Sequence, residues 1–401
     1  MKFLKSITFL FLTAGLMLSC SDDDDGGTNV DPIGDQKTYT LMEMSDSGVS
    51  GTATFQNQSD GSTLITLDVD GTTSEGMHPS HIHMNTAAES GDIVIDLNEV
   101  DGATGMSETV VTSTDSGEMI SYEDLLEFDG YINIHLSADE LGTIVAQGDI
   151  GQNELTGEMK SYNLETRDVD GISGTVMFQE RINGEAQATI MLDGTPADGM
   201  HPAHIHMNTA AEGGDIIYTF TPVNGDTGMS RSNVDMLDDG SDFGYSDVMD
   251  VNGYVNVHLS ADELGTIVAQ GDIGQNELTG ESITYNLNEM DVPGISGTVM
   301  FEERMNGEAQ ATIMLDGTPP AGEHPAHIHM NTAAEGGDII YTFMPVNGET
   351  GMSRSNVATL DDDSSFGYSD VLDVDGYVNV HLSAEELGVI VAQGNIGMNA
   401  M

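Results

Sequence analysis

The twelve histidines of this 401-residue chain all fall in two short strings that recur three times. His78, His81, His83 and His135 form one set; His201, His204, His206 and His258 form the second; His324, His327, His329 and His381 form the third. Four histidines in register per copy is not scattered surface usage. In a strand, residues two apart share a face and stand roughly 6.5–7 Å from each other. His81 and His83 then project side by side, with Ile82 turned the other way. Asn133 and His135 do the same on a later strand, between Ile132 and Ile134. If the two strands are neighbours, three imidazoles converge. Imidazole is the usual ligand for zinc and copper, so the chemistry expected is one Cu or Zn ion per copy. His78 has the wrong parity for that face in an unbroken strand. Pro79 cannot donate a ladder hydrogen bond, so a bulge or strand start is expected there, which would bring His78 round as a fourth ligand. The competing reading is a buried polar ladder whose rings hydrogen-bond turn carbonyls.

Other chemistry is poorly supplied. There is no Gly-x-Ser-x-Gly elbow, no phosphate loop and no His-Glu-x-x-His, and no residue is assigned a catalytic role. Asp-Gly clusters such as Asp68-Val-Asp70-Gly71 lack the full EF-hand spacing and read as solvated turns. Met84, Met207 and Met330 follow the His-x-His pairs, and Met106, Met229 and Met352 sit in a shared Thr-Gly-Met-Ser string. A thioether favours Cu(I), although core packing is the commoner use of methionine.

The elements that must position these histidines are strands. The string starting at His78 recurs at His201 and His324, and the string starting at Gly130 recurs at Gly253 and Gly376, a spacing of 123 residues each time. Three domains are expected, over 36–151, 152–274 and 275–401, joined by the short segments at Gln152 and Gln275. Each is long enough to be complete in itself. Within a copy, alternating runs such as Gly51–Phe55, Leu64–Val69, Ile93–Leu97, Tyr131–His135 and Thr143–Ala146 are separated by Gly, Asp and Asn clusters. Seven or eight short strands result, with brief helical turns at Tyr122–Leu126 and Ala138–Leu141. The fold class is all-β: three tandem antiparallel sandwich or barrel domains of Greek-key type.

The formal charge is −59, from 9 basic and 68 acidic residues. Nucleic acid is excluded as a partner, because its phosphates require Lys and Arg. Such a surface keeps the protein soluble and attracts cations. The single cysteine, Cys20, excludes an internal disulfide and a Cys-based zinc site. Lys2 and Lys5 followed by the apolar run Ile7–Leu18 read as a signal peptide over 1–19. Leu18-Ser19-Cys20 resembles a lipobox, which implies lipidation of Cys20. Residues 20–35, beginning Ser21-Asp22-Asp23-Asp24-Asp25, read as an acidic flexible tether. The acidic run also resembles the surface-export signal of some Gram-negative lipoproteins. Export to the outer membrane or cell surface is expected, with the membrane touched only through the lipid.

Ala203-His-Ile-His206 and Ala326-His-Ile-His329, with Ser80-His-Ile-His83, are each followed by a Tyr-x-Asn-x-His strand: Tyr131–His135, Tyr254–His258 and Tyr377–His381. This order resembles the CHRD domain, the chordin-type module also present in bacterial secreted proteins. The ending departs from it: Gly142-Thr-Ile-Val-Ala-Gln-Gly148 stands where the family has an Arg-Gly pair. The resemblance implies a β-rich extracellular domain without an established activity. The functional expectation is a surface-anchored binding lipoprotein with one His-rich site per domain, whose partner is a metal cation or an extracellular protein or matrix ligand. A structural adhesion module with a histidine polar core is the second reading. A copper redox enzyme is the third, since the His-x-His strand is also similar to the copper site of superoxide dismutases. Against the third, the ligand order differs, four histidines cannot furnish both a copper and a zinc site, and the first copy has no arginine to guide superoxide.

Overall fold

A computed structural model describes residues 32–73 and 76–400. The stretch read as a signal peptide, Cys20 and the expected tether as far as residue 31 lie outside the described residues. The first unit has β1 (Pro32–Glu43), β2 (Ser50–Gln58), β3 (Thr63–Asp70), β4 (Met77–Met84), β5 (Ile93–Asp101) and β6 (Met106–Val111). A one-turn helix α1 (Tyr122–Leu126), β7 (Asp129–His135) and β8 (Ile144–Gly151) complete it. Strand β1 thus begins within the stretch expected to be tether. The eight strands close a barrel in the order β1-β2-β3-β6-β5-β4-β7-β8, every pairing antiparallel. Closure leaves no unpaired edge.

Alternation builds the interior. Ala53 and Phe55 of β2, Ile65, Leu67 and Val69 of β3, Ile82 of β4, and Ile132 and Ile134 of β7 form one buried cluster. Their neighbours in sequence face outward, as period two requires. The seam between β1 and β8 is short, pairing Met42 with Gln147 and Glu43 with Ala146. It demands close backbone approach at Gly148, where a Cβ would stand 2.2 Å from the Thr40 carbonyl oxygen. Helix α1 starts at Ser121, whose side chain and Asp124 form a capping box, and it lays Leu125 into the core. The segment 138–141, expected to be helical, forms turns instead. Its backbone bonds are isolated single ones, Glu140 N to Ser137 O and Thr143 N to Glu140 O, which do not propagate.

The second unit repeats the closed barrel strand for strand. The third keeps the same neighbours, but its sheet opens at the strand pair equivalent to β4 and β5. There Glu323–His324 is separated from Ala326–Met330, and Ile339–Thr342 from Val346–Asn347. Pro325 and Pro345 stand in these gaps, but Pro202 and Pro222 hold the same positions within continuous strands of the closed second barrel, so the prolines alone do not open the sheet. The methionines of the two repeated strings do not fill the cores. Met84, Met207, Met330, Met106, Met229 and Met352 are all exposed, while Ile, Val, Leu, Phe and Ala pack the interiors.

Successive units meet at a buried ionic joint. Arg181 of the second barrel is fully buried. Its Nη1 donates to Asp149 Oδ2 of β8 at 2.7 Å and also to the Asn153 carbonyl. Nε donates to Asn233 Oδ1 at 3.0 Å and Nη2 to Gln187 Oε1 at 3.3 Å. Arg304 makes the same contacts one unit on, with Asp272, Asn276, Asn356 and Gln310. One period before Arg181 stands Gln58, and one period after Asp272 stands Asn395. Among the described residues the charged pair therefore occurs only at the two joints.

Candidate metal centre

Strand β4 pairs with β7 in a register that sets His81 opposite Asn133 and His83 opposite Tyr131. Paired residues share a face, so His81, His83, Tyr131, Asn133 and His135 all lie on the outer side of the barrel wall. Ile82, Ile132 and Ile134 hold the inner side. The three histidines converge: one nitrogen from each of His81, His83 and His135 lies within 4.8 Å of the others. His204, His206 and His258 do the same in the second barrel, and His327, His329 and His381 in the third.

Connecting loops cover the cluster and fix its rings. His83 Nδ1 donates to the Gly91 carbonyl at 2.9 Å, and His135 Nδ1 donates to the Leu141 carbonyl at 2.6 Å. A carbonyl only accepts, so both Nδ1 atoms carry the proton and both Nε2 atoms present a lone pair. The second barrel repeats this with Gly214 and Leu264, the third with Gly337 and Leu387. Tyr131 lies flat on the His83 ring, centroids 4.8 Å apart and planes within 14°. Its hydroxyl accepts the Gly91 N–H at 3.2 Å, so one glycine ties the tyrosine to the histidine beneath it. No other residue fits there: a Cβ on Gly91 would stand 2.1 Å from the Met84 carbonyl oxygen. Asn133 is held by Gln147, whose Nε2 donates to its Oδ1 at 2.8 Å.

The nitrogens that face one another are short of partners. His204 Nδ1, His206 Nε2 and His258 Nε2 are buried and none has a hydrogen bond; the same is true of His327 Nδ1 and His381 Nε2. In the first barrel His83 Nε2 is likewise orphaned, and His81 Nδ1 stands 3.1 Å from His135 Nε2. Leaving such an atom unmade costs about 1–3 kcal/mol. Three of them turned toward one point is the arrangement a cation relieves. Nitrogens bound to one zinc ion at about 2.0–2.1 Å stand roughly 3.3 Å apart, so small ring movements close each triad on an ion. The hydrogen bonds from the remote ring nitrogens of His83 and His135 to carbonyls are the outer contacts that orient metal ligands. Burial, followed by repulsion from the neighbouring imidazoles, pushes His204 and His327 down to about 4. Burial lowers His135, His258 and His381 as well. His81 is lowered too, chiefly by burial, with Asp96 opposing the shift.

His78, His201 and His324 stand apart from the triads. The expected irregularity is present, since the β4–β5 register shifts between His78 and Ser80. It does not carry the ring to the other three. His78 Nδ1 instead donates to the His135 carbonyl at 3.1 Å, and His201 and His324 donate to the carbonyls of Leu259 and Leu382. These rings pin the strand entering the site to the strand leaving it. Tyr131, Gly91 and Leu141 were not singled out in the sequence. The alternation of Tyr131-Ile-Asn-Ile-His135 puts Tyr131 on the histidine face, whereas the loop carbonyls carry no signal in residue type.

Residues 35–147 match the CHRD domain family model. The first barrel is a CHRD-type domain, and its Ser80-His-Ile-His83 and Tyr131-Ile-Asn-Ile-His135 strings supply the whole triad. No curated protein and no solved structure shows significant similarity to the chain. The CHRD match ends at Gln147, ahead of the Asp149 that reaches the second barrel, so the joint lies outside the matched stretch.

Proposed function

We propose that this protein is an exported, lipid-anchored metal-binding protein in which three CHRD-type barrels each hold one Cu or Zn ion. The reading rests on the convergence of three imidazoles in each barrel, with all three facing nitrogens buried and unpartnered in the second, two in the third and one in the first. Three imidazoles and no thiolate suit Cu(II) or Zn(II) and leave a fourth position open. Copies two and three are taken as CHRD-type because they repeat the first barrel's strings at a spacing of 123 residues. Anchoring through Cys20 would hold the barrels outside the membrane, where their acidic surfaces concentrate cations. Binding rather than catalysis is proposed, because what the three barrels share is the triad and the carbonyls that orient its rings.

Metal analysis after loading and dialysis should find three ions per chain. His81→Ala with His83→Ala should reduce this to two. Fewer than one ion per chain in the parent protein would sink the proposal.

A further inference from the structure

The three triads are alike in residue type, but the residue paired across the sheet with the first histidine of each differs. His81 pairs across β4 and β5 with Asp96, and His204 and His327 pair at the same register with Thr219 and Thr342. Asp96 Oδ1 stands 3.7 Å from His81 Nε2, the ring atom on the far side from the triad. Its side chain is 71% exposed, so a small rotation brings it to hydrogen-bond distance. The threonines bring no charge, and their hydroxyls are already committed, Thr219 to Asp238 Oδ2 and Thr342 to Asp361 Oδ2, each at 2.8 Å. Asp115, the counterpart of Asp238, is engaged in the first barrel by the Asp96 backbone N–H at 3.0 Å. It is therefore common to all three sites and does not distinguish them.

Resting on the metal-binding reading above, we infer that the sites are of two grades: the first barrel takes a divalent transition cation more tightly than the other two, with Asp96 as the positioning residue that sets the difference. His81 offers Nδ1 to the ion, which leaves Nε2–H facing the Asp96 carboxylate. A carboxylate accepting from the remote N–H of a ligating histidine fixes its tautomer and strengthens its nitrogen as a donor. It also places one negative charge roughly 7 Å from a dication, where attraction survives partial screening. Removing such a partner weakens metal binding about 10- to 100-fold. A difference of at least about tenfold between one site and two is expected.

The test is titration of the full chain with Zn²⁺ alone, by calorimetry and by competition against a chromophoric chelator. The parent should show one tight site and two weaker ones. Asp96→Thr and Asp96→Asn should each turn the tight site into a third weak one, and Thr219→Asp should create a second tight one. Asp96 and Thr219 lie at the surface, and a thermal melt of each variant confirms folding. Three equal sites in the parent overturn the inference and leave the metal reading standing. An Asp96→Asn variant that keeps its tight site overturns the assignment to carboxylate charge. No zinc bound at any site overturns both readings, an outcome distinct from the other two.

Discussion

Two buried polar clusters recur in this chain, the joint around Arg181 and the triad around His206, and they treat their polar atoms in opposite ways. At the joint every guanidinium nitrogen donates, to Asp149, Asn153, Asn233 and Gln187, and the charge meets a countercharge. In the triad, nitrogens equally shielded from water face one another with nothing between them. A completed network holds protein to protein, whereas the unpartnered nitrogens of the triad are what the proposed metal binding would satisfy. Retention also differs. The triad is present in all three barrels, whereas the ionic pair is confined to the two described joints, with Gln58 and Asn395 at the corresponding positions elsewhere. The comparison sets polar burial that serves architecture against polar burial proposed to serve a ligand, and it can be broken by experiment.

The largest effect should come from the joint. Arg181→Ala strands Asp149, which is only 11% exposed, and such a loss typically costs about 3–5 kcal/mol. Urea unfolding should show that loss in the first two barrels. Arg181→Gln together with Asp149→Asn copies the residues at Gln58 and Asn395 and should recover most of it, because no uncompensated charge remains. If the single change costs nothing, the joint is not what holds these barrels together.

The triad should behave in the reverse manner. His206→Leu removes an orphaned nitrogen along with the bond to Gly214, so metal-free stability should fall by no more than about 1.5 kcal/mol. What it removes is the gain on loading, which is about 2.7 kcal/mol at a free metal concentration one hundred times the Kd. Thermal melts with and without Zn²⁺ separate the two quantities. A metal-free loss as large as that of Arg181→Ala would make the triad a structural core.

A smaller effect tests the frame around the ions. Tyr131→Phe keeps the stack on His83 and loses only the bond from Gly91. A loss of about 1 kcal/mol is expected, confined to the first barrel and read as weaker zinc affinity there. Unchanged affinity would mean that the Gly91 loop orients His83 without the tyrosine.

Much of this was legible because period two is rigid. The alternation in Tyr131–His135 and the His81-x-His83 spacing put three rings on one face as soon as β4 and β7 adjoin, and those rings are where the strands place them. The antiparallel all-β class also follows from the turn-separated alternating runs, which left sandwich and barrel open; closure comes from the β1–β8 pairing. His78 was the failure. A proline in a strand announces a bulge, but the direction in which the bulge aims a side chain depends on which carbonyl receives it, here that of His135. The role of Arg181 was hidden for a related reason. Its partners Asp149 and Asn233 lie 32 and 52 residues away, and no local pattern marks an arginine as buried. Asp96 differs visibly from Thr219 in sequence, but only the β4–β5 register shows that it stands beside a ligand.

The subtlest test is the pH dependence of the metal-free protein, which asks whether the triads are as dry as they look. His204 and His327 are held down to about 4 in the folded chain, while an unfolded imidazole titrates near 6.5. Between those values the unfolded chain takes up protons that the folded one refuses. These groups therefore contribute their full stability above about pH 6.5 and lose it progressively as pH falls toward 4. Acidification also relieves the repulsion of a chain carrying −59, which acts in the opposite direction. The useful quantity is thus a difference in Tm, parent minus the His204→Asn/His327→Asn variant. It should be level above pH 6.5 and shrink as pH falls toward 4. A difference level across the whole range would show that water reaches both rings. Protons compete with a metal ion for the same ring nitrogens, so the lowered His204 and His327 should resist that competition further into the acid range than an unperturbed imidazole does.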